Sequence, residues 1–414
     1  MRGTVLWIAS VILYGGCATL ARRPPPPSAI NHTEPVGYTS PVRLVTTDLT
    51  GYTEQAPRFL EGMRRAAAGR RVNILALSGG GSSGAFGAGA LVGLSEAHER
   101  PRFELVTGVS AGAIIAPFAF LGPAWDAGLR ATIEDCRRHP PVGSLGWRFT
   151  QLILAPLGWF GHDRLSGLID RHITPAMLRA VARETAKGRR LIIATTDLDS
   201  QETVLWDMGA IAAKGGKRAL ALFRKVIIAS ASVPGVFPPV VIPVHDGGRQ
   251  YDELHVDGGV TTPMFIFPLV AGLRPQDLAP LRGADVYVII NGKLASAPDR
   301  TPINTVDVVS RSISAGITAS TRSTVVESQA IARQMGMQLH ITQIPPGFPS
   351  SADFDFGPRH MRALFAYGER CAAQGLLWMT PTRANMLNME ARPREQADPG
   401  QCPAGGGIVA RRSR

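Results

Sequence analysis

The sequence predicts an α/β fold class, on three observations. Val72-Asn73-Ile74-Leu75-Ala76-Leu77 reads as a buried strand, Ser78-Gly79-Gly80-Gly81-Ser82-Ser83-Gly84 as a glycine loop, and residues 85–94 as a helix of small residues. The same unit then recurs. The apolar run Phe103-Glu104-Leu105-Val106-Thr107 leads into Gly108-Val109-Ser110-Ala111-Gly112 and on into the helix-like residues 111–116. Finally, 414 residues at 45% hydrophobic and 18% charged can build a sizeable core, as one large α/β domain or as two or three smaller ones.

At the N-terminus, Arg2 precedes the apolar run Thr4-Val5-Leu6-Trp7-Ile8-Ala9-Ser10-Val11-Ile12-Leu13-Tyr14. This run falls short of the ~20 residues that span a bilayer and suits the apolar region of a signal peptide, residues 1–16. Leu13-Tyr14-Gly15-Gly16-Cys17 resembles a bacterial lipoprotein signal, with Tyr14 where that pattern usually has Leu. The resemblance implies cleavage before Cys17, lipid on its sulfur and, with Ala18 next, an outer-membrane lipoprotein facing the periplasm. An ordinary secretory signal is the alternative. Residues 17–59, with Pro24-Pro25-Pro26-Pro27, read as a stiff tether. The compact part is expected at residues 60–380. Residues 381–414, rich in Pro, Gly, Arg and Ala, are expected to be disordered. Four cysteines make no disulfide framework in a chain this long.

The loop at 78–84 fits the dinucleotide pattern through Gly79, Gly81 and Gly84. That reading needs an acidic residue at the end of the next strand. The next strand ends instead in Gly108-Val109-Ser110, and a phosphate loop would need Lys where Ala85 stands. Successive glycine N–H groups also form a concave anion site. Beside a nucleophile they make an oxyanion hole, with Gly80, Gly81 and Ser82 as donors.

Ser110 is that nucleophile by pattern. A strand, a serine between Gly108 and Gly112, and a helix make a nucleophile elbow. Glycine meets the need for little bulk on either side of so sharp a turn. Two Asp-Gly-Gly runs compete for the base. Asp246-Gly247-Gly248 lies between strand-like runs and reads as a hairpin turn. Asp257-Gly258-Gly259 ends the second run and is the better candidate. His340 and His360 are the imidazole candidates for a conventional triad; His340 reads as an ordinary strand residue, and His255, on the strand face of Asp257, as structural.

Gly79–Gly84, the elbow and Asp257-Gly258-Gly259 occur in the order of the patatin-like phospholipases, which the chain resembles over about residues 70–270. Ala194-Thr195-Thr196-Asp197-Leu198 and Ala229-Ser230-Ala231-Ser232-Val233-Pro234-Gly235-Val236-Phe237-Pro238-Pro239 resemble the family too. The resemblance implies a three-layer α/β/α sandwich with a mainly parallel central sheet. It implies a lipid acyl hydrolase with Ser110 as nucleophile, Asp257 as proton acceptor and no histidine. The loop residues Gly79, Gly80, Gly81, Ser82 and Gly84 would be the oxyanion hole, with Gly258 and Gly259 supporting the base. Ser83 stands where many members carry Arg or Lys. Two other readings stay open: an α/β-hydrolase-type esterase with a Ser-Asp-His triad, and a tethered lipid-binding protein without catalysis.

A net charge of +12 favours anionic partners. The basic residues are scattered and not interleaved with aromatics, so lipid and membrane, not nucleic acid, are the expected partners. No His/Cys/Asp cluster has metal-ligand spacing, and no cofactor is expected. Residues 147–160, rich in Trp, Phe and Leu, read as a lid or as core packing. Residues 304–335 read as a long helix with Ser and Thr along one face.

Overall fold

A computed structural model describes residues 22–141, 162–234, 236–266, 278–294, 301, 303, 305–349, 356–380, 382–384, 386 and 401–405. The signal peptide, Cys17, residues 147–160 and Gly235 lie outside them.

Five parallel strands form the middle of the sheet: β3 (Asn73–Leu77), β4 (Leu105–Gly108), β5 (Arg190–Asp197), β9 (Asp285–Ile290) and β10 (Gln338–Gln343). Their order across the sheet is β10-β9-β3-β4-β5. The strands are short and almost wholly buried, as a parallel sheet covered on both faces requires. Antiparallel strands extend it: β6 (Glu202–Asp207) beside β5, β7 (Val240–Asp246) and β8 (Arg249–Asp257) as a hairpin, and the short edge strands β1 (Glu34–Pro35) and β2 (Arg43–Val45). Gly247 and Gly248, at φ 52° and 80°, form the turn that joins β7 to β8, which keeps Asp246 in a hairpin as its sequence suggests.

One junction positions the site. β6 pairs with most of the length of β5. On the opposite edge, β4 pairs with the first half of β5, Gly108 opposite Ile193. There β4 stops. β8 takes over the same edge, Asp257 opposite Thr195. The end of β8 thus fills the place that β4 vacates when it turns away at the elbow.

Helices cover both faces, and an apolar core lies on each. One face carries α2 (Gly84–Glu96), α3 (Ala111–Leu121), α4 (Asp126–Arg138), α5 (His162–His172), α6 (Pro175–Ala186), α7 (Met208–Lys214), α8 (Gly216–Ser230) and α10 (Pro358–Ala373). The other carries α1 (Leu49–Ala67) and α9 (Thr305–Gln334). The three-layer α/β/α sandwich is therefore the observed architecture. α2 is buried from Gly84 to Leu94. Its small residues let α10 approach backbone to backbone: a Cβ on Gly89 would lie 2.0 Å from the Phe365 carbonyl oxygen, and one on Gly93 2.2 Å from that of Glu369. α9 is the long helix expected from 304–335, and its Ser320, Ser323, Thr324 and Ser328 line a cavity of about 460 Å³ against the sheet.

Two expectations about the ends are corrected. Within 17–59, residues 22–59 are not a free tether: they supply β1, β2 and the start of α1. Strands of two and three residues are too short to show a period; Tyr38, Val42 and Val45 enter the core, and polar pairs hold the segment as well. Arg43 is buried and pairs with Glu253 of β8, its Nη2 donating to Oε1 at 2.9 Å, while the Thr33 hydroxyl donates to the same oxygen at 2.7 Å. Within 381–414, Cys402 is disulfide-bonded to Cys371 of α10 with Cα atoms 5.5 Å apart. No spacing rule shows that pairing in a sequence.

Replacing Arg43 by Ala should lower stability by ~3–5 kcal/mol at neutral pH, because Glu253 is left buried without its guanidinium partner. Arg43 helps hold the Glu253 carboxyl down at about 2 from 4.5. Its stabilisation is present above the ordinary carboxylate range and is lost as pH falls toward 2. Urea unfolding of the variant and parent at pH 7 and pH 3 should show the gap narrowing at the lower pH.

Candidate active site

Ser110 sits where β4 passes into α3, at φ 55° and ψ −124°. Such a backbone is costly for a residue with a Cβ and persists only when its surroundings enforce it. Those surroundings are glycines. A Cβ on Gly108 would meet the Gly112 carbonyl oxygen at 2.7 Å, and one on Gly112 the Leu77 carbonyl oxygen at 2.4 Å. The two chain segments cross where only glycine fits. Ser110 is also the residue just before the first turn of α3, whose free N–H groups favour negative charge nearby.

The structure brings the glycine loop and Asp257 to this serine. Gly79 is so close that a Cβ there would lie 3.1 Å from the Ser110 Cβ. A Cβ on Gly84 would lie 2.9 Å from that of Ala111. The loop donors are unequal. The Gly79 N–H donates to the Pro263 carbonyl at 3.2 Å, and that of Gly84 turns back to Gly81 and Ser82. Among the described residues, the N–H groups of Gly80 and Gly81 have no acceptor, at φ 155° and 53°. Of the expected oxyanion residues, Gly79 and Gly84 therefore serve close packing, and Gly80 and Gly81 offer donors.

Asp257 is buried. Its Oδ1 accepts the Gly259 N–H at 2.7 Å, while Oδ2 has no partner of full hydrogen-bond geometry among the described residues. Burial pushes the carboxyl up to about 7, against the opposing pull of the Ser110 hydroxyl and the Gly259 N–H. Gly258 is required by packing, since a Cβ would meet the Ala194 carbonyl oxygen at 2.5 Å.

The 229–239 segment clasps both residues. The Ser230 hydroxyl accepts the Ser110 N–H at 3.0 Å, and the Ser232 carbonyl accepts the Asp257 N–H at 2.9 Å. From the 194–198 segment, the Thr196 hydroxyl donates to the Asp257 carbonyl at 3.0 Å.

Asn291, just beyond β9, went unnoticed in the sequence. It is fully buried. Its N–H donates to the Ser78 hydroxyl and its Nδ2 to the Ser78 carbonyl, each at 2.8 Å; its Oδ1 accepts the Gly87 N–H at 3.1 Å. It thus pins the loop at its start and the helix after its end. Its own carbonyl lies where a Cβ on Gly80 would fall, at 1.8 Å. In the sequence, Asn291-Gly292 after an apolar run carries only a turn signal.

The histidines face elsewhere. His255 bonds Glu253 at 3.1 Å and Thr195 at 3.0 Å, wholly buried. His340 stacks on Tyr287, and His360 lies edge-on to Phe348. Among the described residues, no group of three His, Cys, Asp or Glu side chains is placed to hold a metal ion.

A narrow apolar cavity of about 60 Å³ opens beside Ser110. Gly81 and Ser82 border it, with Ile114, Ile133, Leu168 and Phe237 among its apolar walls. The α4 and α5 walls are tied through Asp135, which accepts from Arg171 at 2.8 Å and faces His172 at 2.9 Å. A flexible hydrocarbon chain fits these walls better than a polar group does.

Asn291→Ala should slow ester turnover ~10²-fold, the scale on which oxyanion donors act when misplaced. It should also cost ~1–3 kcal/mol through the unpaired polar groups it leaves. Steady-state kinetics on a soluble ester and thermal unfolding would check both.

Residues 75–270 match the family model of patatin-like phospholipase. None of the curated proteins matches the chain. Three solved structures align at low identity. VipD from Legionella pneumophila is 13% identical, with 74% of this chain and 67% of that one covered and a TM-score of 0.32. Human GIVD cytosolic phospholipase A2 is 10% identical, with 84% and 65% covered and a TM-score of 0.38. The type III effector protein ExoU is 16% identical, with 77% and 54% covered and a TM-score of 0.23. The chain thus spans about half to two thirds of these proteins, and identities this low say nothing of substrate. The matched segment holds the elbow, the glycine loop and Asp257: residues 75–270 are a patatin-like phospholipase domain, that of a lipid ester hydrolase.

Proposed function

We propose that the protein is a serine lipid acyl hydrolase of phospholipase A type, working through a Ser110–Asp257 pair. The observation that carries this reading is the buried Asp257 carboxylate, with the Ser110 hydroxyl set against it and Oδ2 without a partner of full hydrogen-bond geometry among the described residues. A carboxylate is an effective base near neutrality only when burial raises it, as it is here.

The acyl chain lies along the apolar cavity. Asp257 takes the Ser110 proton as Oγ bonds to the ester carbonyl carbon. The carbonyl oxygen becomes an oxyanion held by the Gly80 and Gly81 N–H groups. The tetrahedral intermediate collapses, the ester bond breaks, and Asp257 returns the proton to the departing alcohol. Water then gives its proton to Asp257 and attacks the acyl-serine, and the carboxylic acid leaves with Ser110 reprotonated.

An N-terminal lipid on Cys17, holding the enzyme at a bacterial outer membrane, completes the reading. The Cys371–Cys402 disulfide supports it, since such bonds persist outside the reducing cytosol.

A fluorophosphonate probe should label the parent at Ser110 and leave Ser110→Ala unlabelled. Asp257→Asn should lower hydrolysis of short-chain esters ~10²–10⁴-fold, the usual share of a general base. Full activity in either variant would sink the pair. Because Asp257 acts deprotonated, parent activity should rise with pH through about 7.

The same group gives a stability signature. A carboxyl raised in the folded state favours the protonated protein, so its burial destabilises increasingly as pH rises from about 4 to 7. Asp257→Asn should therefore melt higher than the parent at pH 8, with the difference fading at pH 4.

A further inference from the structure

We propose that the edge of the sheet carrying Ser110 is also the face that lies against a lipid bilayer. The proposal deepens the acyl-hydrolase reading and rests on it for the choice of a lipid surface as occupant.

The topology puts several exposed apolar side chains at this edge. Ser110 and the glycine loop follow the C-terminal ends of β4 and β3, the usual place for a site in a parallel sheet. Leu198 lies in the β5–β6 hairpin at the same end and is 40% exposed. Val260, three residues past Asp257, is 46% exposed.

The N-terminal part of α9 stands above that edge. α9 leads down into β10, which is parallel to the site-bearing strands, so its N-terminus is at their C-terminal end. The helix has 30 residues and would be ~45 Å long; the six residues of β10 span ~20 Å. Ile317 reaches the residues beside Asp257, its Cδ1 4.0 Å from where a Cβ on Gly259 would be. Residues 305–316 therefore run a further ~18 Å beyond it. Val308 on this projection is 46% exposed, and Ile303 just before it is fully exposed.

The chain's exit points the same way. Arg22 pairs with Asp199 in the β5–β6 hairpin, Nη2 to Oδ1 at 2.5 Å, and donates to the Asp252 carbonyl at 3.3 Å. Residue 22 thus leaves the body at the site edge. Cys17 is five residues further back (22 − 17), a reach of at most ~17 Å. An acyl group on it would draw this edge toward the leaflet. A net charge of +12 suits an anionic surface. Val326, lower on α9, is also exposed and lies on the flank away from this edge, which makes it the control.

The test uses the full chain carrying Cys17→Ser, so that an N-terminal lipid cannot supply the binding. Co-sedimentation with vesicles of phosphatidylethanolamine and phosphatidylglycerol is measured alongside turnover of monomeric p-nitrophenyl butyrate. Val308→Glu with Leu198→Glu should cut the vesicle partition coefficient and vesicle hydrolysis at least about fivefold, with butyrate turnover within twofold of the parent. Val308→Trp should raise partitioning, as interfacial aromatics do. Val326→Glu should change neither. Unchanged partitioning in the double variant, an equal loss in Val326→Glu, or a matching fall in butyrate turnover would each overturn the proposal. Failure of the acyl-hydrolase reading shows separately, as absent fluorophosphonate labelling of the parent.

Discussion

The site depends on β4 stopping at Gly108. A strand that continued would keep its edge of β5 and leave no room for β8. Because the backbone turns at Ser110, held in a strained conformation by glycines on either side, the last residues of β8 take that edge. Asp257 arrives opposite Thr195, just beyond the end of β4. One local constraint, a serine that must fit between crossing backbones, thus places that serine and the carboxylate together. The carboxylate becomes buried by the same event, and burial raises its affinity for a proton.

Much of this was legible in the residues. The strand–glycine–helix units announce themselves because glycine is required where backbones cross within a few ångströms. Gly112 and Gly258 each occupy such a crossing. The hairpin at Asp246 was also legible, since Asp-Gly between two strand-like runs reads as a turn. The family resemblance supplied the layering.

Other parts were not legible, for physical reasons. Asn291 acts through three hydrogen bonds to residues far away in sequence, and an Asn before a Gly carries only a turn signal. The N-terminal segment folds onto the sheet through the polar cluster of Arg43, Thr33 and Glu253 and a few scattered apolar residues, Tyr38, Val42 and Val45, whose spacing shows no period. The Cys371–Cys402 bond depends on a chain path that no spacing encodes. The inequality among the loop donors arises because the Pro263 carbonyl takes the Gly79 N–H.

The seam between α2 and α10 has a mechanical meaning. Gly89, Gly93 and Gly368 put main chain directly on main chain, with no side chains between to bend or repack. Tolerances along such a contact are those of hard atoms, a few tenths of an ångström. The glycine loop is continuous with the first turn of α2, so its position is inherited from α10, an element far later in the chain. The disulfide sits near the C-terminal end of that same helix. The placement of the Gly80 and Gly81 N–H groups is therefore a property of a rigid two-helix beam, and a larger residue anywhere along the seam would act at the loop as a lever.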